Sequence, residues 1–148
     1  MRIAFIGLGE AAGAFITGWG ADRARDITAF DIKTTVPETA PEISKRAKAF
    51  GIATCETLQS AVSDADVVFS TVTADQAIVA ARAAAPLIKQ GAYYLDMNSC
   101  APSSKQVSAD IMAEHNRRYV DVAVMEPVYP KQLDVPLLIS GDWSHEVS

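Results

Sequence analysis

A short apolar run in this chain leads directly into a glycine-rich turn. Residues 2–13 read RIAFIGLGEAAG, and Asp31 closes the next apolar run. Gly7 suits a tight turn out of a strand, Gly9 lets the backbone approach a bound group closely, and Ala12 lets the next helix pack against the sheet. A strand, this turn, a helix and an acid some 20 residues further on form the dinucleotide-binding fingerprint, with Ala12 at the third glycine position.

Length and composition favour one globular domain, which we expect to cover residues 1–148. The net charge is −5, 49% of the residues are hydrophobic and 21% are charged. This balance argues against disorder, and the acidic charge argues against nucleic acid as a partner. No apolar run approaches the ~20 residues of a membrane span, and the N-terminus does not read as a signal peptide. We therefore expect a cytoplasmic protein with Cys55 and Cys100 reduced.

Apolar runs alternate with helical patterns along the whole chain. This alternation predicts an α/β fold of the Rossmann type, a doubly wound, mostly parallel sheet with helices on both faces. We expect about six parallel strands and an added strand at the C-terminal edge. The predicted strands are Ile3–Gly7, Ile27–Asp31, Ile52–Cys55, Val67–Val72, Ala92–Met97, Tyr119–Val124 and Leu137–Ser140.

The helices are predicted from apolar spacing and from their start and stop residues. In the first, Phe15 and Trp19 lie on one apolar stripe and are expected in the core. In the last, Val107 and Ile111 are expected on the inner side. The first predicted helix follows Gly9, the second runs from Pro41 to Phe50, and the third begins near Leu58. The fourth covers Asp75 to Gln90 with a break at Pro86, and the last spans Pro102 to Asn116.

Sheets of this type bind ligands outside the carboxyl ends of their strands, so the strand ends give the candidate cofactor site. The backbone N–H groups of Gly9, Glu10 and Ala11 are expected to hold a pyrophosphate. Asp31 is expected to bind the adenosine ribose, which favours NAD(H), although Lys33 leaves NADP(H) open. The predicted cofactor-binding residues are Gly7, Leu8, Gly9, Glu10, Ala11, Ala12, Asp31, Ile32, Lys33, Thr71, Val72, Thr73 and Asn98.

Three motifs resemble the β-hydroxyacid dehydrogenases, which include 3-hydroxyisobutyrate and 6-phosphogluconate dehydrogenases. They are GLGEAAG at 7–13, DMNSCAP at 96–102, which is similar to the family's D-x-S-T-x-x-P, and VDVAV at 120–124, which is similar to VDAPV. The resemblance implies hydride transfer between a nicotinamide cofactor and a small 3-hydroxy acid or related carbonyl compound. It also implies that Asn98 and Ser99 position nicotinamide and substrate, and that the full-length protein is a homodimer.

Two departures from the family pattern leave the substrate open. Asn98 replaces the first hydroxyl residue of the second motif. Met125, Glu126 and Pro127 stand where the family usually has Ser-Gly-Gly, which forms a backbone cradle for a carboxylate. A carboxylate at Glu126 would repel an acidic substrate if it faced the pocket.

The family's general acid/base lysine lies on a helix of a second, all-helical domain, and no lysine here matches it. Lys105 follows the second motif and is expected to face solvent. We therefore expect residues 1–148 to be the cofactor half of a two-domain reductase, inactive alone. A nucleotide-binding sensor or scaffold domain without turnover is the alternative. No metal site is predicted, His115 is expected at a helix end, and Cys100 as a half-buried inert thiol.

Overall fold

A seven-stranded sheet forms the centre of the computed structural model, which describes residues 1–148. The strands lie in the order β3-β2-β1-β4-β5-β6-β7. The first six are parallel, and β7 pairs antiparallel with β6 at the edge, so the predicted sheet is confirmed. The strands are β1 (Ile3–Ile6), β2 (Ile27–Phe30), β3 (Ala53–Thr54), β4 (Val67–Ser70), β5 (Tyr93–Asp96), β6 (Arg118–Val124) and β7 (Leu137–Ser140).

Helices cover both faces of the sheet, as a parallel sheet requires. They are α1 (Glu10–Trp19), α2 (Ala21–Ala24), α3 (Ala40–Phe50), α4 (Leu58–Val62), α5 (Ala77–Ala84) and α6 (Pro102–Glu114). Single 3-10 turns lie at Ile32–Thr35, Ala74–Gln76, Gln132–Asp134 and Ser144–Glu146. None of the helices has the length and the apolar character that crossing a membrane requires.

The core consists of two apolar layers, one on each face of the sheet. One layer packs α1 and α3 on the strands and includes Phe5, Phe15 and Ile43. The other layer packs α4, α5 and α6 on the opposite face and includes Tyr94 and Met112. All four residues of β1 are buried because this central strand is covered on both sides.

Two of the helix predictions need correction. The segment expected to be helical from Asp75 begins as a 3-10 turn, and α5 itself spans only Ala77–Ala84 before Pro86. Val107 is not on the inner side of α6, since 39% of it is exposed. The residues of α6 that are buried are Ser108 and Met112, so the inner side of this helix is offset from the expected one.

Candidate functional site

The carboxyl ends of β1, β2 and β4 border an open cavity of about 390 Å³, which we call the glycine-loop cavity. Most of the predicted cofactor-binding residues line it. It is lined by Ile6, Gly7, Gly9, Glu10, Phe30, Asp31, Ile32, Lys33, Arg46, Leu58, Thr71, Val72, Thr73, Gln76, Val79, Ala80 and Ala83. This is the edge at which the strand order reverses, between β1 and β4, and ligands of doubly wound folds bind at such a point.

The glycines of the turn after β1 have two different physical roles. Gly7 has φ +89, and a Cβ there would lie 2.6 Å from the Thr71 carbonyl oxygen, so the turn itself requires glycine. A Cβ on Gly9 would meet nothing within 4 Å, because this position faces the open cavity. Gly9 is therefore not needed for packing, and its missing side chain leaves space for a bound group.

The N-terminus of α1 supplies hydrogen-bond donors beside Gly9. The first hydrogen bond of the helix joins Gly13 N to Gly9 O at 3.1 Å, so the earlier N–H groups of Glu10 and Ala11 lack a partner within the helix. These N–H groups and the positive end of the helix dipole suit an anion. Leu8 and Ala12, two of the predicted cofactor-binding residues, are fully buried and do not line the cavity.

Asp31, at the end of β2, fixes the glycine-rich loop. Its Oδ2 accepts a hydrogen bond from Leu8 N at 2.8 Å, and its Oδ1 accepts one from Lys33 N at 2.9 Å. A carboxylate has about four acceptor positions, so both oxygens keep capacity for a ribose hydroxyl. The side chain thus closes the turn and also lines the cavity.

An apolar wall lies opposite the charged residues of the glycine-loop cavity. It is formed by Leu58 from α4 and by Val79, Ala80 and Ala83 from α5. Val79 is 57% exposed, so its side chain is accessible to a bound group. A cavity with one apolar wall and one polar wall suits an adenosine, whose base is flat and whose ribose is polar.

Arg46 is a cavity residue that the sequence did not predict. It belongs to α3, and its Nη1 donates a hydrogen bond to the Leu8 carbonyl oxygen at 3.1 Å. Its Nη2 forms an ion pair with Glu42 at 2.5 Å. In the sequence these two residues form an ordinary i,i+4 pair typical of a solvated helix face, and only the packing of α3 against the glycine loop brings Arg46 to the cavity.

Asn98, which we expected to position nicotinamide and substrate, has its amide engaged within the protein, and that role stays a prediction. It is only 4% exposed, and both ends of its amide are occupied. Its Oδ1 accepts a hydrogen bond from Val72 N at 2.7 Å, and its Nδ2 donates to Asp96 Oδ1 at 2.7 Å and to Ser70 Oγ at 3.0 Å. Asn98 therefore braces the ends of β4 and β5 against each other, while the neighbouring Ser99 is exposed.

Lys105 does not face solvent, which corrects the prediction. Its side chain is 12% exposed, and its Nζ lies 3.1 Å from Asp96 Oδ1 and 2.8 Å from Asp121 Oδ1. The Nζ also donates to the Asp96 carbonyl oxygen at 2.8 Å. One hydrogen bond to the Asp96 carbonyl oxygen and two ion pairs thus tie the start of α6 to β5 and β6. Lys105 and Asp121 line a second cavity of about 390 Å³, together with Asn98, Ser99 and Cys100.

The remaining candidate side chains have structural contacts. Burial raises the pKa of the Cys100 thiol, which favours the unreactive protonated form. His115 ends α6, with its Nδ1 3.0 Å from the Ile111 carbonyl oxygen. Glu126 is exposed and forms an ion pair with Lys131. No group of three or more His, Cys, Asp or Glu side chains is arranged to hold a metal ion.

Comparison with known proteins places this geometry in a family. Residues 2–126 match the family model described as the NAD binding domain of 6-phosphogluconate dehydrogenase. No curated protein matches the chain. Among solved structures, a conserved hypothetical protein from Sinorhizobium meliloti is 33% identical with a TM-score of 0.93, over 99% of this chain and 49% of that one.

Two more distant structures share the fold. The 3-hydroxyisobutyrate dehydrogenase of Mycobacterium tuberculosis, solved with L-serine, is 21% identical with a TM-score of 0.80, over 99% of this chain and 49% of that one. An imine reductase from Myxococcus stipitatus in complex with NADP+ is 18% identical with a TM-score of 0.74, over 96% and 47%. The chain thus spans about half the length of the solved structures it matches. Since the family model covers most of the sequence, the chain belongs to the family defined by the NAD-binding domain of 6-phosphogluconate dehydrogenase.

Proposed function

We propose that this chain binds a nicotinamide dinucleotide in the glycine-loop cavity, with the pyrophosphate at Gly9 and the N-terminus of α1. The observation that carries this proposal is the empty space at Gly9, where a Cβ would meet nothing within 4 Å. The N–H groups of Glu10 and Ala11 follow Gly9 at the start of α1 and lack partners within the helix. An anion at this position gains hydrogen bonds and a favourable dipole without displacing any side chain.

We propose that the adenosine half of the cofactor lies in the same cavity. We place the ribose at Asp31 and the adenine against the apolar wall of Leu58 and Val79. A 2′-phosphate at this ribose would meet the Asp31 carboxylate, so we propose that NADH binds more tightly than NADPH. Structures of similar fold hold either cofactor, since an imine reductase is in complex with NADP+ and a variant of it is in complex with NAD+.

The nicotinamide end of the cofactor belongs at the ends of β4 and β5, where Thr71, Val72 and Thr73 line the cavity. The bound nicotinamide supplies the hydride donor or acceptor. Asn98 acts indirectly, since its Oδ1 holds Val72 N and its position fixes the loop that presents Ser99. This loop is fixed before any ligand binds, which favours a defined orientation of the ring.

The reaction that we propose for the whole protein is hydride transfer to or from a small 3-hydroxy acid or related carbonyl compound. Membership of the 6-phosphogluconate dehydrogenase family supports it, as does the similar fold of a 3-hydroxyisobutyrate dehydrogenase. Residues 1–148 would serve as the cofactor domain in this reaction. Lys105 is held by two carboxylates, so we propose that a different group acts as the acid/base.

Titration of the chain with NADH, followed by nicotinamide fluorescence or calorimetry, tests the proposed site. Gly9→Val is the informative variant, because its side chain enters open space and should leave the fold intact while blocking the pyrophosphate. We expect saturable NADH binding by the wild type and a loss of at least about tenfold in affinity for Gly9→Val. Equal affinities in the two proteins would exclude this cavity as the cofactor site.

A further inference from the structure

The polar wall of the glycine-loop cavity contains two cations, Lys33 and Arg46. Arg46 Nη1 donates to the carbonyl oxygen of Leu8 at 3.1 Å, and Asp31 Oδ2 accepts from the N–H of the same residue at 2.8 Å. Arg46 and Asp31 therefore both contact the backbone of Leu8, one at its oxygen and one at its nitrogen. They form no ion pair with each other within 4.0 Å, so a ribose at Asp31 has the guanidinium close by as a separate group.

We propose that Arg46 is the residue through which this chain accepts a 2′-phosphate on the adenosine ribose, so that Arg46 sets the size of the preference for NADH. The inference rests on the proposed function, which places that ribose at Asp31. A guanidinium has five N–H donors, and only one on Nη1 and one on Nη2 are engaged. Its planar fork and its delocalised charge match the oxygens of a phosphate.

Glu42 competes with a phosphate for the same guanidinium. The Arg46 Nη2 atom lies 2.5 Å from Glu42 Oε1, and the Glu42 side chain is largely exposed. An exposed i,i+4 pair of this kind contributes little stability, so a dianionic phosphate can displace the carboxylate. Glu42 and Asp31 thus both work against a 2′-phosphate, whereas Arg46 works for it. We therefore expect variants at residues 42 and 46 to change the affinity for NADPH in opposite directions.

The first test compares NADH and NADPH titrations of wild type and Arg46→Gln. We expect the affinity for NADPH to fall about tenfold and the affinity for NADH to change less than about twofold. Lys48→Gln is the matched control, because it removes the same charge from α3 at an exposed residue that does not line the cavity. This control should leave the ratio of the two affinities unchanged.

The second test uses Glu42→Gln, which removes the competing carboxylate without shortening the side chain. We expect NADPH to bind about threefold more tightly and NADH to bind as before. Competition experiments with 2′,5′-ADP and with 5′-AMP distinguish a contact with the 2′-phosphate from a contact with the 5′-phosphate. Only 2′,5′-ADP should bind more weakly to Arg46→Gln than to the wild type.

Several outcomes would overturn the proposal. Equal losses of NADH and NADPH in Arg46→Gln would mean that Arg46 only supports the loop through Leu8. A matching loss for 5′-AMP would place the guanidinium at the 5′-phosphate instead. If the wild type binds both cofactors and neither variant changes the ratio, only the role of Arg46 is wrong. If the wild type binds neither cofactor, the proposed function itself is wrong, and the role of Arg46 with it.

Discussion

The carboxylate of Asp31 holds the backbone of Leu8, with Oδ2 2.8 Å from the Leu8 nitrogen. Leu8 is the central residue of the glycine-rich turn, and Asp31 directly follows the neighbouring strand β2. The residue expected to bind the ribose is therefore also the residue that shapes the phosphate loop. Because Asp31 holds the loop, substitutions that test its proposed role in cofactor preference must be judged by stability as well as by affinity.

The Asp31→Ala variant should be less stable and should discriminate less between cofactors. It loses hydrogen bonds to two backbone N–H groups, each of the charge-assisted kind, and we expect the free energy of unfolding to fall by about 1.5–3 kcal/mol. Urea unfolding measures this fall, and Asp22→Ala, at an exposed surface pair, is the control. The ratio of NADH to NADPH affinity should shrink. A wild type that already prefers NADPH would contradict the reading of Asp31 as the discriminating residue.

Removal of the Lys105 ammonium should destabilise the fold strongly. Asp96 is fully buried, and Lys105→Ala would leave its carboxylate without the cation that faces it. Breaking a buried pair from one side costs about 3–5 kcal/mol. The control is Lys89→Ala, whose ion pair with Asp66 is exposed and should change the free energy of unfolding by less than about 1 kcal/mol. Similar urea midpoints for the two variants would show that the Lys105 cluster contributes no more than a surface pair.

The sheet and the glycine loop could be predicted from the sequence because their causes are local. Buried parallel strands appear as short apolar runs, and the strained turn at Gly7 requires glycine by its own φ value. The residue of α1 that allows the closest approach of a neighbouring helix was not predicted from the sequence. A Cβ on Gly13 would lie 2.5 Å from Phe50 Cζ, so Gly13 permits this approach, although the motif suggested Ala12.

The parts of the site that could not be predicted depend on contacts between distant segments. Arg46 reaches the glycine loop from α3, and Lys105 reaches Asp121 across the start of β6. In sequence each reads as a charged residue on a helix, for which solvent exposure is the ordinary expectation. Asn98 was placed correctly at a strand end, but its internal hydrogen bonds depend on Ser70 and Val72 in another strand and loop.

The buried hydroxyl of Tyr94 should make the stability of the fold depend on alkaline pH. Burial raises the pKa of Tyr94 above its usual value, and its hydroxyl makes no hydrogen bond of normal geometry. An unfolded tyrosine titrates near pH 10, so the folded state holds the proton more tightly, and the free energy of unfolding falls as pH rises above about 10. Below that pH this group adds no pH dependence.

The Tyr94→Phe variant tests this pH dependence. It should match the wild type near neutral pH, because no hydrogen bond is lost, and should lose less stability than the wild type above about pH 10. Urea unfolding across this range measures the difference, with Tyr129→Phe at an exposed site as the control. Identical pH profiles for wild type and Tyr94→Phe would mean that Tyr94 does not contribute to alkaline unfolding.

Residues 1–148 assayed alone should bind cofactor without turning over substrate at an enzymatic rate. General acid/base groups raise the rate of a reaction about 10²–10⁴-fold. The titratable groups that could serve here already form ion pairs or hydrogen bonds within the protein. Lys105 donates a hydrogen bond to the Asp96 carbonyl oxygen and forms ion pairs with two carboxylates, and Glu126 is paired with Lys131. Ser99 is exposed but does not titrate near neutrality. NADH formation is measured with a panel of 3-hydroxy acids, both for residues 1–148 and for a longer chain that includes a helical second domain. Comparable turnover from both chains would place the acid/base within these residues, and Glu126→Gln and Lys105→Met would then show which of the two it is.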